Sequence, residues 1–132
     1  MLTFFRHYGL TMAVAMTIMY VCMIHMPSSA STIEIDIPNF DKLVHFMMYV
    51  ALSAAACKNF YQQEANFGTL KLYFWGIVFP IAFGGLIELM QAYLTTYRTG
   101  DWMDLLADSL GAIAAYAVCS RVYPKKLNRN EN

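Results

Sequence analysis

The sequence predicts an all-α protein with four membrane-spanning helices. Hydrophobic residues make up 58% of its 132 residues and charged residues only 14%, whereas an average soluble domain has about 25% charged residues. The apolar residues also gather into long runs, which is typical of membrane helices. One soluble core of this size could not bury so much apolar surface. We therefore predict a single membrane domain over residues 1–132.

Four apolar runs supply the predicted spans. Crossing the hydrocarbon layer takes about 20 residues, and a helix is the form in which such a run satisfies its own backbone in lipid. Pro27 closes the first run, and the second run is short unless Asn39 to Lys42 complete it. The predicted spans are residues 8–26, 40–57, 72–94 and 103–122.

The loop charges predict the orientation, because cytoplasmic loops are enriched in Lys and Arg. With the N-terminus inside, only Lys42 and Arg98 of the nine Lys and Arg residues lie outside. Both termini are then cytoplasmic. An alternative for the first run is a signal peptide cleaved after Ala30, which leaves the following loop on the outside.

Polar residues collect at the predicted outer ends of the last three spans. Within each span they recur every three or four residues and therefore share a helix face. Below the acids of the fourth span this face becomes small, with Gly111 and Ala115, which suits close helix packing. We expect the polar faces to converge on one outer-leaflet cavity. The predicted ligand-binding residues are Asp41, Lys42, His45, Tyr49, Glu88, Gln91, Arg98, Asp104 and Asp108.

The acids lie at different predicted depths in the membrane, and the deeper ones are the more costly. An Asp at a helix centre costs about 2.5 to 3.5 kcal/mol on membrane-insertion scales. Asp101 begins the fourth span, where a carboxylate stabilises the helix N-terminus. Asp108 and Glu88 lie deeper and need partners or a wet pocket. The available cations are Lys42, Arg98 and His45.

Three segments carry a resemblance to the VanZ-like family of small integral membrane proteins. They are DKLVHFMMYVALSA, GLIELMQAYL and RTGDWMDLLADSLGA, within residues 38–115. Asp108 stands where many members of that family have Asn, so the resemblance does not imply a required carboxylate there. It implies a protein of the bacterial inner membrane and cell envelope. The family's namesake is associated with low-level resistance to teicoplanin, a lipid-tailed glycopeptide antibiotic.

The favoured function is non-enzymatic binding at the outer cavity. The candidate ligands are membrane lipids, a polyprenyl-linked wall precursor or a glycopeptide antibiotic, with the cations contacting phosphate or carboxylate. The neutral net charge suggests no nucleic-acid partner. We predict no metal and no cofactor.

Two other hypotheses for the function stay open. In a membrane-embedded hydrolase or transferase, Glu88 and Asp104 would act as general acid and base. His45 could alternatively hold a divalent metal together with Asp41, Glu88, Asp104 or Asp108. The sequence lacks HExxH, a Gly-rich phosphate loop and a Gly-x-Ser-x-Gly elbow. The remaining hypothesis is a structural membrane subunit in which the polar residues only hold the helices together.

Overall fold

The computed structural model describes residues 2–24, 38–64, 66–96 and 100–124, which form four helices and no strand. The helix Phe40–Gln63 continues past the predicted end at residue 57, and the helix Leu2–Met23 begins before the predicted start at residue 8. Arg98, the predicted cleavage point after Ala30 and most of the first loop lie outside the described residues, so these predictions are not tested. The helices are α1 (Leu2–Met23), α2 (Phe40–Gln63), α3 (Thr69–Leu94) and α4 (Trp102–Val122).

Three of the described helices, α2, α3 and α4, are long and apolar enough to cross a membrane. α1 has 22 residues but is not among these three. Arg6 and His7 near its start lower its mean hydropathy. The prediction of a fourth span therefore stays a prediction, while the all-helical fold class is confirmed for the described residues.

A π-helical turn, Phe74–Val78, interrupts α3 just before Pro80. Proline has no backbone N–H, so the carbonyl four residues earlier loses its usual helical partner. That carbonyl belongs to Gly76, and it accepts a hydrogen bond of 2.6 Å from the Ser53 hydroxyl on α2. The interruption has a local cause, and α2 supplies the missing donor.

α2 lies at the centre of the fold and packs against each of the other helices. It approaches α4 closely at Gly111, where an added Cβ would collide with the carbonyl oxygen of Phe46. The close packing predicted for this small face is therefore present. Cys22, Cys57 and Cys119 are buried, and none of the three forms a disulfide in the described structure.

Large apolar side chains are exposed along the outer faces of the helices. Isolated exposed apolar residues are normal in soluble proteins, but an extensive apolar exterior marks an interaction surface. For helices of this length and hydropathy, lipid is the surrounding that suits such an exterior. Examples from the four helices are Met16, Met47, Leu70, Leu89, Leu110 and Val118.

Candidate functional site

Lys42 joins the first turn of α2 to the start of α4. Its ammonium donates to Asp101 Oδ2 at 2.8 Å and to Asp104 Oδ1 at 2.5 Å. Asp41 Oδ2 lies 3.7 Å from the same nitrogen. Lys42 is partly exposed, whereas the Asp104 side chain is buried. One cation therefore lies among three carboxylates at the end of the molecule where α2 and α4 begin.

Asp101 caps α4, as the sequence predicts for a carboxylate at this position. Its Oδ1 accepts a hydrogen bond of 2.8 Å from the Met103 backbone N–H, which satisfies one of the free donors at a helix N-terminus. The hydrogen bond from Lys42, followed by that from Met103, lowers the pKa of Asp101 below its ordinary value. Asp101 is thus a stable anion that orients Lys42.

Glu88 ties the end of α3 to the start of α4. Its Oε2 accepts a hydrogen bond of 2.7 Å from the Asp101 backbone N–H. Gly100 makes this approach possible, because a Cβ there would lie 2.8 Å from the Glu88 carbonyl oxygen. The glutamate is buried and 9% exposed. Its hydrogen bond holds the end of α3 beside the N-terminus of α4.

His45 lies one turn below Lys42 and contacts two acids of α4. Its Nδ1 is 3.0 Å from Asp108 Oδ1, and its Nε2 is 3.7 Å from Asp104 Oδ2. All three side chains are buried. Which of the two side chains donates the hydrogen bond between His45 and Asp108 depends on the tautomer and ionisation of the imidazole. This pair gives Asp108 the partner that its depth requires.

Two buried oxygen atoms at the inner side of the site make no hydrogen bond to any described residue. They are Glu88 Oε1 and the Tyr49 hydroxyl. The Tyr49 ring and Asp108 Oδ2 both border Gly84, where an added Cβ would lie 3.2 Å from the ring and 2.9 Å from the carboxylate. Gly84 therefore lets α3 approach both side chains.

Most of the predicted site residues meet at this end of the described structure. Gln91 is the exception, because its amide donates to the Cys22 carbonyl at 2.9 Å and so ties α3 to α1. Arg98 lies outside the described residues. Asp101 was expected only as a helix-capping residue, yet it contacts both Lys42 and Glu88. We call the following residues the polar cluster: Asp41, Lys42, His45, Glu88, Asp101, Asp104 and Asp108.

An apolar cleft of about 570 Å³ opens beside the polar cluster, between α3 and α4. Glu88 and Asp101 belong both to its lining and to the cluster. This cleft was not predicted from the sequence. A signal was present, because Ala82, Gly85 and Ala92 recur at i, i+3 and i+10 on one face of α3. Small residues on a face that no helix covers leave a groove.

The polar cluster has more acidic groups than basic groups. Five carboxylates lie beside one ammonium and one imidazole. Lys42 and His45 already contact carboxylates, so neither is a free anion-binding group in this arrangement. The cluster is therefore suited to a cation, or to a ligand rich in hydrogen-bond donors.

The chain belongs to the VanZ/LLP1 family, whose family model matches residues 2–123. This match confirms the resemblance read from the three segments, and it covers all four described helices. Together with the three apolar helices, it identifies a VanZ-like membrane protein. No curated protein and no solved structure matches the chain.

Proposed function

We propose that this VanZ-like protein binds an amphiphilic molecule, with the polar end at the polar cluster and the lipid tail in the cleft. The observation that carries the proposal is the double position of Glu88 and Asp101, which line the cleft and belong to the cluster. An apolar groove with a few convergent polar groups is the usual form of a small-molecule site.

The charges favour a headgroup that donates hydrogen bonds. From the sequence, the cations were expected to contact a phosphate or carboxylate of the ligand, but Lys42 donates to Asp101 and Asp104 instead. Amines and hydroxyls would suit the surplus carboxylate oxygens better. A polyprenyl-linked wall precursor and a lipid-tailed glycopeptide such as teicoplanin both carry such groups, and these are the ligands that we propose.

The proposal includes a setting in the bacterial inner membrane. There the chain spans the membrane four times, with both termini in the cytoplasm and the polar cluster at the outer leaflet. The loop charges support this orientation. A wall precursor or an antibiotic would then reach the cluster from the outer side and enter the cleft sideways from the lipid.

Blocking the cleft tests the proposal without touching the polar cluster. Gly85 lines the cleft, and an added Cβ there meets no atom within 4 Å. Gly85→Leu should therefore fold and fill the groove. Gly9→Leu on α1 is the matched control, because Gly9 also has open space and lies away from the cleft.

Native mass spectrometry of gently purified protein is the measurement, with polyprenyl-phosphate-linked precursor and teicoplanin as added ligands. We expect saturable binding by the wild type and by Gly9→Leu, and loss of most binding by Gly85→Leu. Equal binding by all three proteins would contradict the cleft as the tail site. No binding by the wild type would contradict the proposed ligands.

One observation favours the alternative hypothesis that the protein is a membrane-embedded hydrolase. Glu88 lines the cleft, and its Oε1 is buried and makes no hydrogen bond to a described residue. This oxygen could therefore accept or donate a proton. Asp104, the other proposed acid-base residue, is bonded to Lys42. Incubation with the same precursor would test the reading, because a hydrolase would release a smaller product that Glu88→Gln does not release.

A further inference from the structure

The inner side of the polar cluster holds more carboxyl groups than basic partners. Glu88 and Asp108 are both buried, and Lys42 bonds to Asp101 and Asp104 instead. His45 is the nearest cationic group, and it contacts Asp108. Glu88 Oε1 has no hydrogen-bond partner among the described residues. A buried carboxylate oxygen without a partner costs free energy, so a cation that contacted it would be held strongly.

We propose that His45, Glu88 and Asp108 bind a divalent transition-metal ion. One ligand atom from each residue lies within 4.8 Å of the others, and all three side chains are buried. Ligands that share one ion at bond lengths of about 2.1 Å lie at most about 4.2 Å apart. Small side-chain rotations would therefore complete the site.

The donor atoms suit the metals from Mn²⁺ to Zn²⁺. An imidazole nitrogen together with carboxylate oxygens binds these ions, whereas Ca²⁺ and Mg²⁺ prefer oxygen alone. With a neutral imidazole, the two carboxylates would balance the two charges of the ion. The assembled site would be neutral, which matters where the surrounding side chains exclude water.

A second candidate triad, Asp41, His45 and Asp104, fits less well. The Lys42 ammonium is 2.5 Å from Asp104 Oδ1 and 3.7 Å from Asp41 Oδ2. It already neutralises this outer position and would repel a second cation. The metal is therefore assigned to the inner triad.

The surroundings of His45 support the inner triad. A metal-bound histidine usually donates its other ring N–H to a carboxylate or carbonyl. Asp108 lies beside Nδ1 and Asp104 beside Nε2, so a carboxylate faces each ring nitrogen. The buried hydroxyl of Tyr49, which makes no hydrogen bond to a described residue, is a further oxygen near this position.

Metal binding can be measured directly on the full chain. The protein would be purified through a tag that binds no metal, stripped with EDTA and titrated with Mn²⁺ or Zn²⁺ alone. We expect about one ion per chain by elemental analysis and a higher melting temperature with the ion. Loss of an outer-shell partner typically weakens metal affinity by about 10- to 100-fold, so Glu88→Gln and Asp108→Asn should each weaken it at least tenfold.

Glu64→Gln is the matched control, because Glu64 pairs with Lys71 at the opposite end of α2. It should bind the ion like the wild type. Equal binding by the wild type and both site variants, or no saturable binding by the wild type, would overturn the proposal. Should the variants fail to fold, a wild-type melting temperature that neither EDTA nor added metal changes would overturn it as well.

The metal proposal does not depend on the amphiphile. Lipid binding would be measured on the same stripped and reloaded samples. A wild type that binds lipid but takes up no metal would contradict the metal proposal and leave the amphiphile proposal standing. Metal bound by protein that takes no lipid would do the reverse.

Discussion

At one end of the molecule, Lys42 and His45 of α2 meet the acids of α4 through ion pairs. At the other end, α2 and α3 meet through the stacked rings of Phe60 and Trp75, whose centroids are 3.5 Å apart. A buried apolar cluster that includes Cys57 lies beside these rings. α2 is thus joined to α4 by ion pairs at one end and to α3 by aromatic stacking at the other.

The comparison of the two ends indicates which contacts helix association needs and which exceed that need. Helix association in lipid rests on close packing and on a few interhelical hydrogen bonds, and the aromatic end achieves this without a buried charge. A cluster with five carboxylates at the opposite end exceeds that need. Intramembrane acids are costly, so their presence in excess favours a role in binding.

The largest effect on stability should come from breaking the buried pair at the polar end. His45→Leu leaves Asp108 without its partner at 3.0 Å, and removal of one member of a buried pair costs about 3 to 5 kcal/mol. Chemical unfolding in detergent would measure the loss. Adding Asp108→Asn to the same chain should recover part of it, and a single change that costs under about 1 kcal/mol would contradict the pairing.

The next effect concerns the close contact of α2 and α4 that lies between the two ends. Gly111→Ala drives a Cβ into the Phe46 carbonyl, and overpacking of this kind costs about 1 to 3 kcal/mol. Gly85→Ala is the control, because its Cβ enters open space and a helix gains from the loss of glycine. The same unfolding assay applies. Equal stability of the two variants would mean that the contact is looser than described.

The aromatic end should show a smaller effect and no effect on ligand binding. Phe60→Leu keeps an apolar side chain but removes the stacking on Trp75. Aromatic pairs contribute about 0.5 to 1.5 kcal/mol beyond their buried area, so we expect a loss of about 1 kcal/mol. Lipid and metal binding should match the wild type. A binding defect in this variant would mean that the two ends are coupled.

The smallest effect should be a pH dependence from Asp101. Lys42 lowers the pKa of this carboxyl in the folded state, so its contribution is present above the ordinary pKa of about 3.9 and is lost as the pH falls below it. The melting temperature of the wild type should exceed that of Asp101→Asn near neutral pH. The difference should shrink below about pH 4, and a difference that grows in acid would contradict the ion pair.

Patterns within one helix were predictable from the sequence, and contacts between helices were predictable only in part. The spacing of Asp41, His45 and Tyr49, and the capping role of Asp101, follow from helix geometry. The partner of Gln91 on α1 depends on how α3 is rotated, which no local pattern determines. The cleft was missed because a stripe of small residues also predicts close packing.

The exclusive pairing of Lys42 with acids was also not predicted. Loop charges and spacing placed Lys42 at the same outer end as Asp101 and Asp104 but could not say whether it would remain available to a phosphate. Its hydrogen bonds to both acids depend on the register between α2 and α4. This register is set by the contact at Gly111, which requires the folded structure.

Glu88→Gln tests the central claim most directly, because an amide can keep the hydrogen bond from the Asp101 N–H while it removes the buried charge. Unfolding and native mass spectrometry would be run on the same preparation. The account predicts unchanged or higher stability with loss of metal and weaker binding of the amphiphile. A variant that unfolds readily, or one that is stable and binds both ligands like the wild type, would contradict it.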